Sequence, residues 1–471
     1  MELQKLYDEV VGFAKECGMV QKTHNDPKGN TIVRDNATGK QEKEVDFKKG
    51  AYFGFIREEE DYSGGYHDFS LVFFPQIDCK ACVVALGVGS LGFANDYDLA
   101  SLPWIRRLFT RLRKIEIKSF FKNDFSDIEM PAADLAYEIK TKYPLLKDVI
   151  DKYKVFLPAS QILDFSDTTK DDDNLLIAKQ WVATYATLRS WAGNADNRKS
   201  ISRFLPKVSE GVLTTNKIYD ILLKDRYIVL QGAPGTGKTW SAMQVASEFE
   251  PHNVLFEQFH AETTYSDFIY GITPVLNSQN IAYQAREGVL YKAIKLAQNT
   301  NDSILLIIDE INRANLSNVL GPVFYLFEKN QQNRKCQLTI GDIKISSLPK
   351  NLFVIATMNT ADRSLAVVDF ALRRRFTWLT IKPHVLNDST FQKEYFEKFE
   401  ELFQKYATDD ELNLQPGHSY FLATNKDMMK ERLQFELMPL MKEYFNEGYL
   451  TKAKDEFCNF FYNELGVLMY E

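Results

Sequence analysis

The sequence predicts a mixed α/β protein, with a parallel sheet in its second half and an α+β arrangement in its first half. After Gly211, short apolar runs alternate with helical patterns, as they do in parallel α/β sheets. Before residue 165, three apolar runs separated by turn residues indicate a small antiparallel sheet. The chain has 471 residues, a length sufficient for about three folding units.

Composition and charge exclude several classes of protein. Hydrophobic residues make up 45% and charged residues 26% of the chain, so wholesale disorder and a fibrous architecture do not fit. The sequence has no apolar run of about 18 residues and no signal-peptide pattern, so we expect a cytoplasmic protein without membrane contact. Five scattered cysteines argue against a disulfide framework. The net charge of −7 offers nucleic acid no overall attraction, so DNA binding would need a local basic patch.

The first predicted domain spans residues 1–165. A helical stretch and a polar, turn-rich segment precede apolar runs at 51–56, 69–75 and 82–88, which suit strands. A basic helical pattern follows over 102–122, and further helical patterns complete the domain.

Three more segments are predicted after this domain. The polar run 165–174 is typical of a linker, and we expect a helical connector over 166–205. Residues 206–387 hold the alternating strand and helix patterns, whereas residues 388–471 have helical patterns without a clear strand.

The strongest motif is a glycine-rich loop between a strand and a helix. An apolar run over Tyr227–Leu230 leads into Gly-x-x-x-x-Gly-Lys-Thr and then into a helical pattern. The glycines let backbone N–H groups face inward as an anion site, Lys238 supplies an ammonium group for phosphates, and Thr239 can hold Mg²⁺. A turn that only links strand to helix would explain neither side chain. We predict a nucleotide site formed by Gly232, Ala233, Pro234, Gly235, Thr236, Gly237, Lys238, Thr239 and Trp240.

Two adjacent carboxylates follow the next apolar strand. The run 303–308 is uninterrupted and ends at Asp309 and Glu310, at the carboxyl edge where α/β sheets build their ligand sites. We expect Asp309 to complete the Mg²⁺ shell with Thr239. Glu310 is placed to orient or deprotonate the attacking water in phosphoryl transfer.

A third apolar strand, over 352–356, also ends in polar residues. Asn359 lies three residues beyond its end, and an arginine run comes after a short helical pattern. In an oligomeric nucleotide hydrolase, this layout supplies an amide that positions the water and a guanidinium that reaches the neighbouring subunit's γ phosphate. A solvated helix end is the alternative for the arginines. This layout makes Glu310, Asn359, Arg373 and Arg374 candidate catalytic residues.

These motifs together resemble the McrB-type AAA+ GTPases, the motor subunits of modified-cytosine-specific restriction systems. The resemblance rests on GAPGTGKT, IIDEINRAN, the run MNTADRSLAVVDFALRRRF over 358–376 and GHSYF over 417–421, and it covers about residues 206–445. It implies an AAA+ P-loop NTPase core, an αβα sandwich with a parallel sheet, followed by a helical lid. It also places Asn359, Asp362 and Arg363 at the nucleotide site, where the resemblance implies a catalytic or switching role, and gives Arg373 or Arg374 the trans-acting role.

The resemblance implies ligands and partners as well. GTP, or ATP, with Mg²⁺ would be the cofactor, and the preference for GTP comes from the resemblance alone. A site completed by a neighbour's arginine requires a head-to-tail ring, which we expect to be a hexamer. The ring would work with a separate McrC-like PD-(D/E)xK nuclease on DNA, including DNA with modified cytosine, in anti-phage restriction.

Two other classes of function stay open from the sequence. One is an ATP-driven chaperone resembling MoxR proteins, which would remodel protein complexes and lack affinity for DNA. The other is a nucleotide switch or scaffold in a defence complex, whose turnover would not respond to DNA. Nucleotide preference and DNA binding separate these classes.

The first domain would then recognise the target. Its basic stretch could contact DNA phosphates, and Trp104 could stack on an exposed base or belong to the core. A nuclease site within the chain is not expected, because Glu138-Ile-Lys140 lies in a helical pattern and Glu116-Ile-Lys118 lacks a preceding acidic strand. The basic side chains are Arg106, Arg107, Arg111, Arg113 and Lys114.

Overall fold

The computed structural model describes most of the chain. The described residues are 2–20, 30–34, 51–57, 69–89, 99–113, 118–127, 129–206, 212–277, 280–328, 337–361 and 370–470. They divide into two compact units, Met1–Ser209 and Glu210–Glu471. Within the described ranges, no helix combines the length and the apolar character that crossing a membrane requires.

The first unit is built on a six-stranded antiparallel sheet. The predicted strands at 51–56, 69–75 and 82–88 lie in its middle, as β2, β3 and β4, in the order β1-β2-β3-β4-β6-β5. The strands are Thr31–Arg34 (β1), Tyr52–Phe55 (β2), Phe69–Pro75 (β3), Ala81–Val88 (β4), Ser119–Phe121 (β5) and Ala159–Asp164 (β6).

Helices cover both faces of this sheet. Alternate residues of each strand point to opposite faces, so Phe73 joins one buried cluster with α1, α2, α5 and α6, while Phe74 joins another with α3 and α4. The helices are Leu3–Glu16 (α1), Pro103–Thr110 (α2), Leu135–Lys142 (α3), Lys147–Tyr153 (α4), Asp171–Leu188 (α5) and Ala195–Phe204 (α6).

The region predicted as linker and connector differs in the structure. Helix α5 begins at Asp171, inside the expected linker, and packs with α6 in the core of the first unit. Trp181 of α5 is fully buried, and its indole N–H donates to Gln161 Oε1 of β6 over 2.6 Å. An amphipathic pattern shows that a helix packs on something but does not identify the partner. The basic helical pattern over 102–122 also ends earlier, because residues 119–121 form β5.

The second unit contains a five-stranded parallel sheet, as the sequence predicts. The strand order β15-β7-β14-β11-β8 places β14, which ends in Asn359, between β7, which precedes the glycine-rich loop, and β11, which ends in Asp309. The three predicted strands, at 227–230, 303–308 and 352–356, are all present, and each ends one to three residues later than predicted. The strands are Tyr227–Gly232 (β7), Val254–Gln258 (β8), Ile304–Asp309 (β11), Leu352–Asn359 (β14) and Thr377–Thr380 (β15).

Helices and two hairpins complete this αβα core. Helices α7 and α8 pack on one face of the sheet and α10 and α11 on the other. The helices are Thr215–Asp225 (α7), Lys238–Ala246 (α8), Tyr265–Phe268 (α9), Val289–Asn299 (α10), Leu316–Val319 (α11) and Phe370–Arg373 (α12). The hairpins pair Tyr270–Asn277 (β9) with Asn280–Glu287 (β10), and Leu338–Ile340 (β12) with Ile343–Ile345 (β13).

Residues 388–470 form a helical segment, which we call the lid. Its aromatic-rich core is a separate buried cluster, centred on Phe399 between Phe421, Phe457 and Phe461. The lid helices are Lys393–Tyr406 (α13), Lys426–Arg432 (α14), Met438–Asn446 (α15) and Lys454–Leu465 (α16), with a π-helical turn over Leu433–Leu437 and a 3₁₀ turn over His418–Phe421.

Candidate nucleotide site

The glycine-rich loop lies between β7 and α8, where the sequence predicts it. Gly235 and Gly237 have φ angles of +76° and +79°, in the left-handed region that favours glycine. The carbonyl of Ala233 accepts hydrogen bonds of 2.9 Å from both Thr236 Oγ1 and Lys238 Nζ. The loop therefore has a defined turn at the amino end of α8, a geometry that suits phosphate.

Lys238 is the half-buried cation of this loop. Burial lowers its pKa from 10.5 to about 8, and the carboxylates of Asp309 and Glu310 oppose that shift. A phosphate beside the ammonium group would favour the charged form further. Trp240, in the first turn of α8, has 64% of its surface exposed, so its ring is available to a ligand or another chain.

Asp309 joins the loop helix to the neighbouring strand. Its Oδ1 accepts from Thr239 Oγ1 over 2.8 Å and from Thr357 Oγ1 of β14 over 2.6 Å. A hydroxyl and a carboxylate side by side are hard oxygen ligands that fit Mg²⁺, which takes its remaining ligands from phosphate and water. The described residues contain no group of three or more His, Cys, Asp or Glu that could hold a metal ion.

Glu310 follows Asp309 in a strained backbone conformation. Its φ of +53° lies in the left-handed region, which costs energy for a residue with a side chain. The N–H of Glu310 donates to Thr357 Oγ1 over 2.9 Å, and its carboxylate forms an ion pair with Arg313 one turn later. These contacts hold Glu310 at the carboxyl edge of the sheet, directly after Asp309.

Asn359 ends β14 directly opposite Gly232, where the glycine-rich loop begins. Its Oδ1 accepts from the N–H of Ala361 over 3.2 Å, and its backbone carbonyl accepts from Asn312 Nδ2 over 3.3 Å. The structure thus brings Asn359 to the same sheet edge as the loop and the carboxylates. Asp362 and Arg363 lie outside the described residues.

The arginine run forms a second group of contacts. The Arg373 guanidinium lies 5.0 Å from the centre of the Trp378 ring. Arg374 and Arg375 donate to Glu328 Oε1 over 3.0 and 2.7 Å, and the side chain of Arg374 is 67% exposed whereas that of Arg375 is 7% exposed. These contacts are with Trp378 and Glu328, not with the phosphate loop. Arg375 is therefore anchored in the fold, and Arg374 is presented on the surface.

Sequence reasoning missed several contributors to the site. Thr357 bonds Asp309 and Glu310 together, and Arg313 holds the Glu310 carboxylate. The role of Thr357 depends on the strand order, which places β14 beside β11, and no local sequence pattern indicates it. The lid segment Gly417–Phe421 is recognisable in the sequence only as part of the family resemblance, although its backbone is hydrogen-bonded to the glycine-rich loop.

The basic stretch of the first unit is only partly a surface. Arg111 and Arg113 are exposed, whereas Arg106 and Arg107 are half-buried and Lys114 lies outside the described residues. Trp104 packs against the core of the first unit. Of the two alternatives for this side chain, the structure shows the one in which it belongs to the core. Of the two Glu-x-Lys triplets, Glu138 sits on α3 in ion pairs with Lys118 and Lys142, and Glu116 is not described.

The comparisons with known proteins agree with this geometry. Residues 227–376 match the family model "AAA domain (dynein-related subfamily)". The chain is 35% identical over 272 residues to the type IV methyl-directed restriction enzyme EcoKMcrB subunit of Escherichia coli K12, covering 51% of this chain and 58% of that protein. It is 30% identical over 251 residues to the type II restriction enzyme BsuMI component YdiS of Bacillus subtilis 168, covering 44% and 67%.

The chain therefore spans little more than half the length of the first of these relatives. Among solved structures, NtrX from Brucella abortus covers 57% of this chain and 58% of its own, at 12% identity and a TM-score of 0.26. At that TM-score the likeness supports no inference about the site. The two sequence relatives are both components of restriction enzymes, and both matches include about half of this chain.

Proposed function

The chain belongs to the McrB-type family of AAA+ restriction subunits, and from that premise we propose that it is the nucleotide-hydrolysing motor of a restriction system. The observation that supports hydrolysis best is the position of Asp309, which bonds Thr239 of the phosphate loop on one side and Thr357 on the other. This arrangement joins the phosphate site, the cation ligands and the following Glu310 in one hydrogen-bonded group.

The glycine-rich loop binds the nucleotide phosphates in the ground state. The N–H groups at the amino end of α8 and the Lys238 ammonium bind the β and γ phosphates, and Thr239 with Asp309 would hold Mg²⁺. Held by these two residues, Mg²⁺ would supply positive charge against the negative charge that develops on the phosphate. Because Lys238 is half-buried and partial removal from water lowers its pKa, water screens its charge less than that of an exposed lysine, and its attraction to phosphate is stronger.

Glu310 and Asn359 act on the attacking water. The water oxygen forms a bond to the γ phosphorus, the bond to the β–γ bridging oxygen breaks, and the Glu310 carboxylate accepts the water proton. Asn359 lies across from Gly232 and orients the water through its side-chain amide. Arg313, whose ion pair holds the Glu310 carboxylate, fixes the direction in which the base points.

The arginines complete the site of the next subunit. Arg374 is largely exposed, and its contact in this chain is with Glu328. Phe370, at the start of the short helix α12 that ends just before Arg374, has 83% of its surface exposed. A heterologous contact between this surface and a neighbour's phosphate loop would close into a ring, which we expect to contain six subunits. Asp362 and Arg363, predicted at the same nucleotide site, belong to this proposal as well.

Two features of the proposal extend beyond the hydrolytic site. GTP is the expected nucleotide because the signature run over 358–376 resembles that of McrB-type GTPases. DNA, including DNA with modified cytosine, and a McrC-like nuclease are the expected partners, since the two relatives are components of restriction enzymes. The exposed Arg111 and Arg113 of the first unit provide charges for phosphate contact.

The test is nucleotide turnover by the full chain. GTP and ATP hydrolysis should be measured with and without modified and unmodified duplex DNA, and oligomeric state should be measured by mass photometry with each nucleotide. We expect GTP turnover, a nucleotide-dependent ring and DNA binding that weakens with salt, all absent in Lys238→Ala. Turnover of ATP alone without DNA binding would favour a chaperone, and turnover of neither nucleotide would refute the proposal.

A further inference from the structure

The lid segment Gly417–Tyr420 lies directly on the glycine-rich loop. The N–H of Gly417 donates to the carbonyl of Pro234 over 2.8 Å, and the N–H of Ser419 donates to the carbonyl of Gly235 over 3.0 Å. Two consecutive loop carbonyls are therefore bound by backbone groups from a segment about 180 residues later in the chain.

This contact is close enough to require glycine at position 417. A Cβ atom on Gly417 would lie 1.9 Å from the carbonyl carbon of Gly235 and 2.1 Å from the nitrogen of Thr236. Both of these atoms belong to the loop backbone, which cannot move aside as a flexible side chain can. On the loop side, a Cβ on Gly235 would lie 2.6 Å from Ser419 Oγ. The two backbones can approach this closely only because both positions lack a side chain.

The hydrogen bonds fix the orientation of two peptide planes. In a planar trans peptide, the C=O and the N–H of the same unit point in opposite directions. The carbonyls of Pro234 and Gly235 point to the lid, so the N–H groups of Gly235 and Thr236 point away from it. The next carbonyl towards β7, that of Ala233, is held by Thr236 Oγ1 and Lys238 Nζ. A phosphate-binding loop needs its N–H groups free of internal acceptors and turned to one side.

We propose that Gly417–Tyr420 is a positioning element for the phosphate loop, and that Gly417 is the residue whose missing side chain permits it. The segment holds the loop carbonyls, so the N–H groups of Gly235 and Thr236 are already directed at the phosphates of a nucleoside di- or triphosphate. This inference rests on the proposed nucleotide binding and adds a role for the lid in it. Any movement that lifts the lid segment from the loop releases these peptide planes and weakens phosphate binding.

His418 adds a side-chain contact to the same segment. Its Nε2 lies 3.3 Å from the position of a Cβ on Gly237, and its ring packs edge-on against His384 at 4.4 Å between centres. Burial, with a smaller contribution from His384, lowers the pKa of His418 to about 4. The imidazole beside the loop is therefore neutral at pH 7 and does not compete with Lys238 for phosphate.

The test compares Gly417→Ala with Gly321→Ala in the full chain. A Cβ on Gly321 meets nothing within 4 Å, so this variant controls for loss of a glycine elsewhere in the second unit. ADP and GDP affinities should be measured by calorimetry, and the melting temperature without nucleotide by differential scanning fluorimetry. We expect Gly417→Ala to bind both diphosphates at least about 10-fold more weakly. The loss of one hydrogen bond to a charged group weakens binding by about this factor. KM should rise by the same factor while kcat changes less than about threefold.

Hydrogen–deuterium exchange of the nucleotide-free wild type tests the same contact without a variant. The amides of Gly417 and Ser419 should be protected, and Gly417→Ala should lose that protection while the lid core keeps its own. Equal diphosphate affinity in Gly417→Ala and Gly321→Ala, or unprotected amides in the wild type, would overturn the proposal. A wild type that binds no nucleotide would refute the proposed function, while the exchange measurement would still decide on the lid contact.

Discussion

The Thr357 hydroxyl donates to Asp309 Oδ1 over 2.6 Å and lies on the strand beside it. The same oxygen accepts the N–H of Glu310 over 2.9 Å. One buried threonine therefore positions the carboxylate proposed to bind Mg²⁺ and the backbone of the proposed general base. This links the two carboxylates to β14, the strand that also delivers Asn359.

Thr357→Val should test this link, because valine keeps the shape and removes the hydroxyl. We expect the free energy of unfolding to fall by about 1–3 kcal/mol, since the Glu310 N–H loses its acceptor in a buried position. Turnover should fall about 10-fold or more, because Asp309 and Glu310 lose their shared support. Urea unfolding and steady-state kinetics measure the two effects. Thr339→Val, at an exposed strand position, is the matched control, and equal losses in both variants would contradict the link.

The pKa of Lys238 predicts how nucleotide affinity depends on pH. Burial lowers that pKa to about 8, so the free protein loses the Lys238 charge as pH rises above 8, whereas bound phosphate favours the charged form. Binding at pH 8.5–9.5 should therefore take up a proton and weaken by up to about tenfold per pH unit. Calorimetry in buffers of different ionisation enthalpy measures both quantities.

Lys238→Arg is the control for this pH dependence, because a guanidinium stays charged throughout this range. The affinity of this variant for GDP should be nearly constant between pH 7 and about 9.5. A wild-type affinity that stays flat, without proton uptake, would contradict the assignment of this pH dependence to Lys238.

The arginine surface predicts complementation between two inactive variants. Arg374→Ala, or Arg373→Ala, should lower turnover by about 10³ or more with a modest effect on binding, the scale of a trans-acting arginine. Mixing that variant with Lys238→Ala should restore part of the activity, since some interfaces then pair an intact arginine with an intact loop. Arg198→Ala, an exposed arginine of the first unit, should keep full activity. No recovery at any mixing ratio would indicate that the arginines act within their own subunit.

The sequence predicts the three central strands of the second unit, β7, β11 and β14, because they are buried on both faces. Such strands are nearly uninterrupted apolar runs, as over Ile304–Asp309. Runs of this kind are typical of the buried strands of parallel sheets. The sequence predicts the glycine-rich loop equally well, because phosphate binding requires its residue types and spacing. Asp309 and Glu310 follow from the position of the strand end.

The remaining features depend on contacts between distant parts of the chain. Nothing in the local pattern around Trp181 shows that its helix packs in the core of the first unit rather than in a separate connector. The approach of Gly417 to Gly235 joins segments about 180 residues apart, and the role of Thr357 depends on strand order. The sequence also cannot show that Arg375 is buried while Arg374 is exposed, because the two are adjacent and chemically identical.

Glu310→Gln tests the central claim, hydrolysis at the Asp309–Glu310 site, most directly. Glutamine keeps the size of the side chain but cannot accept the water proton, so the ground-state phosphate contacts of Lys238 remain intact. GTP and ATP binding by calorimetry, together with single-turnover hydrolysis, separates the two effects. The account predicts affinity within about threefold of wild type and hydrolysis slower by about 10³ or more. Hydrolysis near the wild-type rate with unchanged affinity would contradict it.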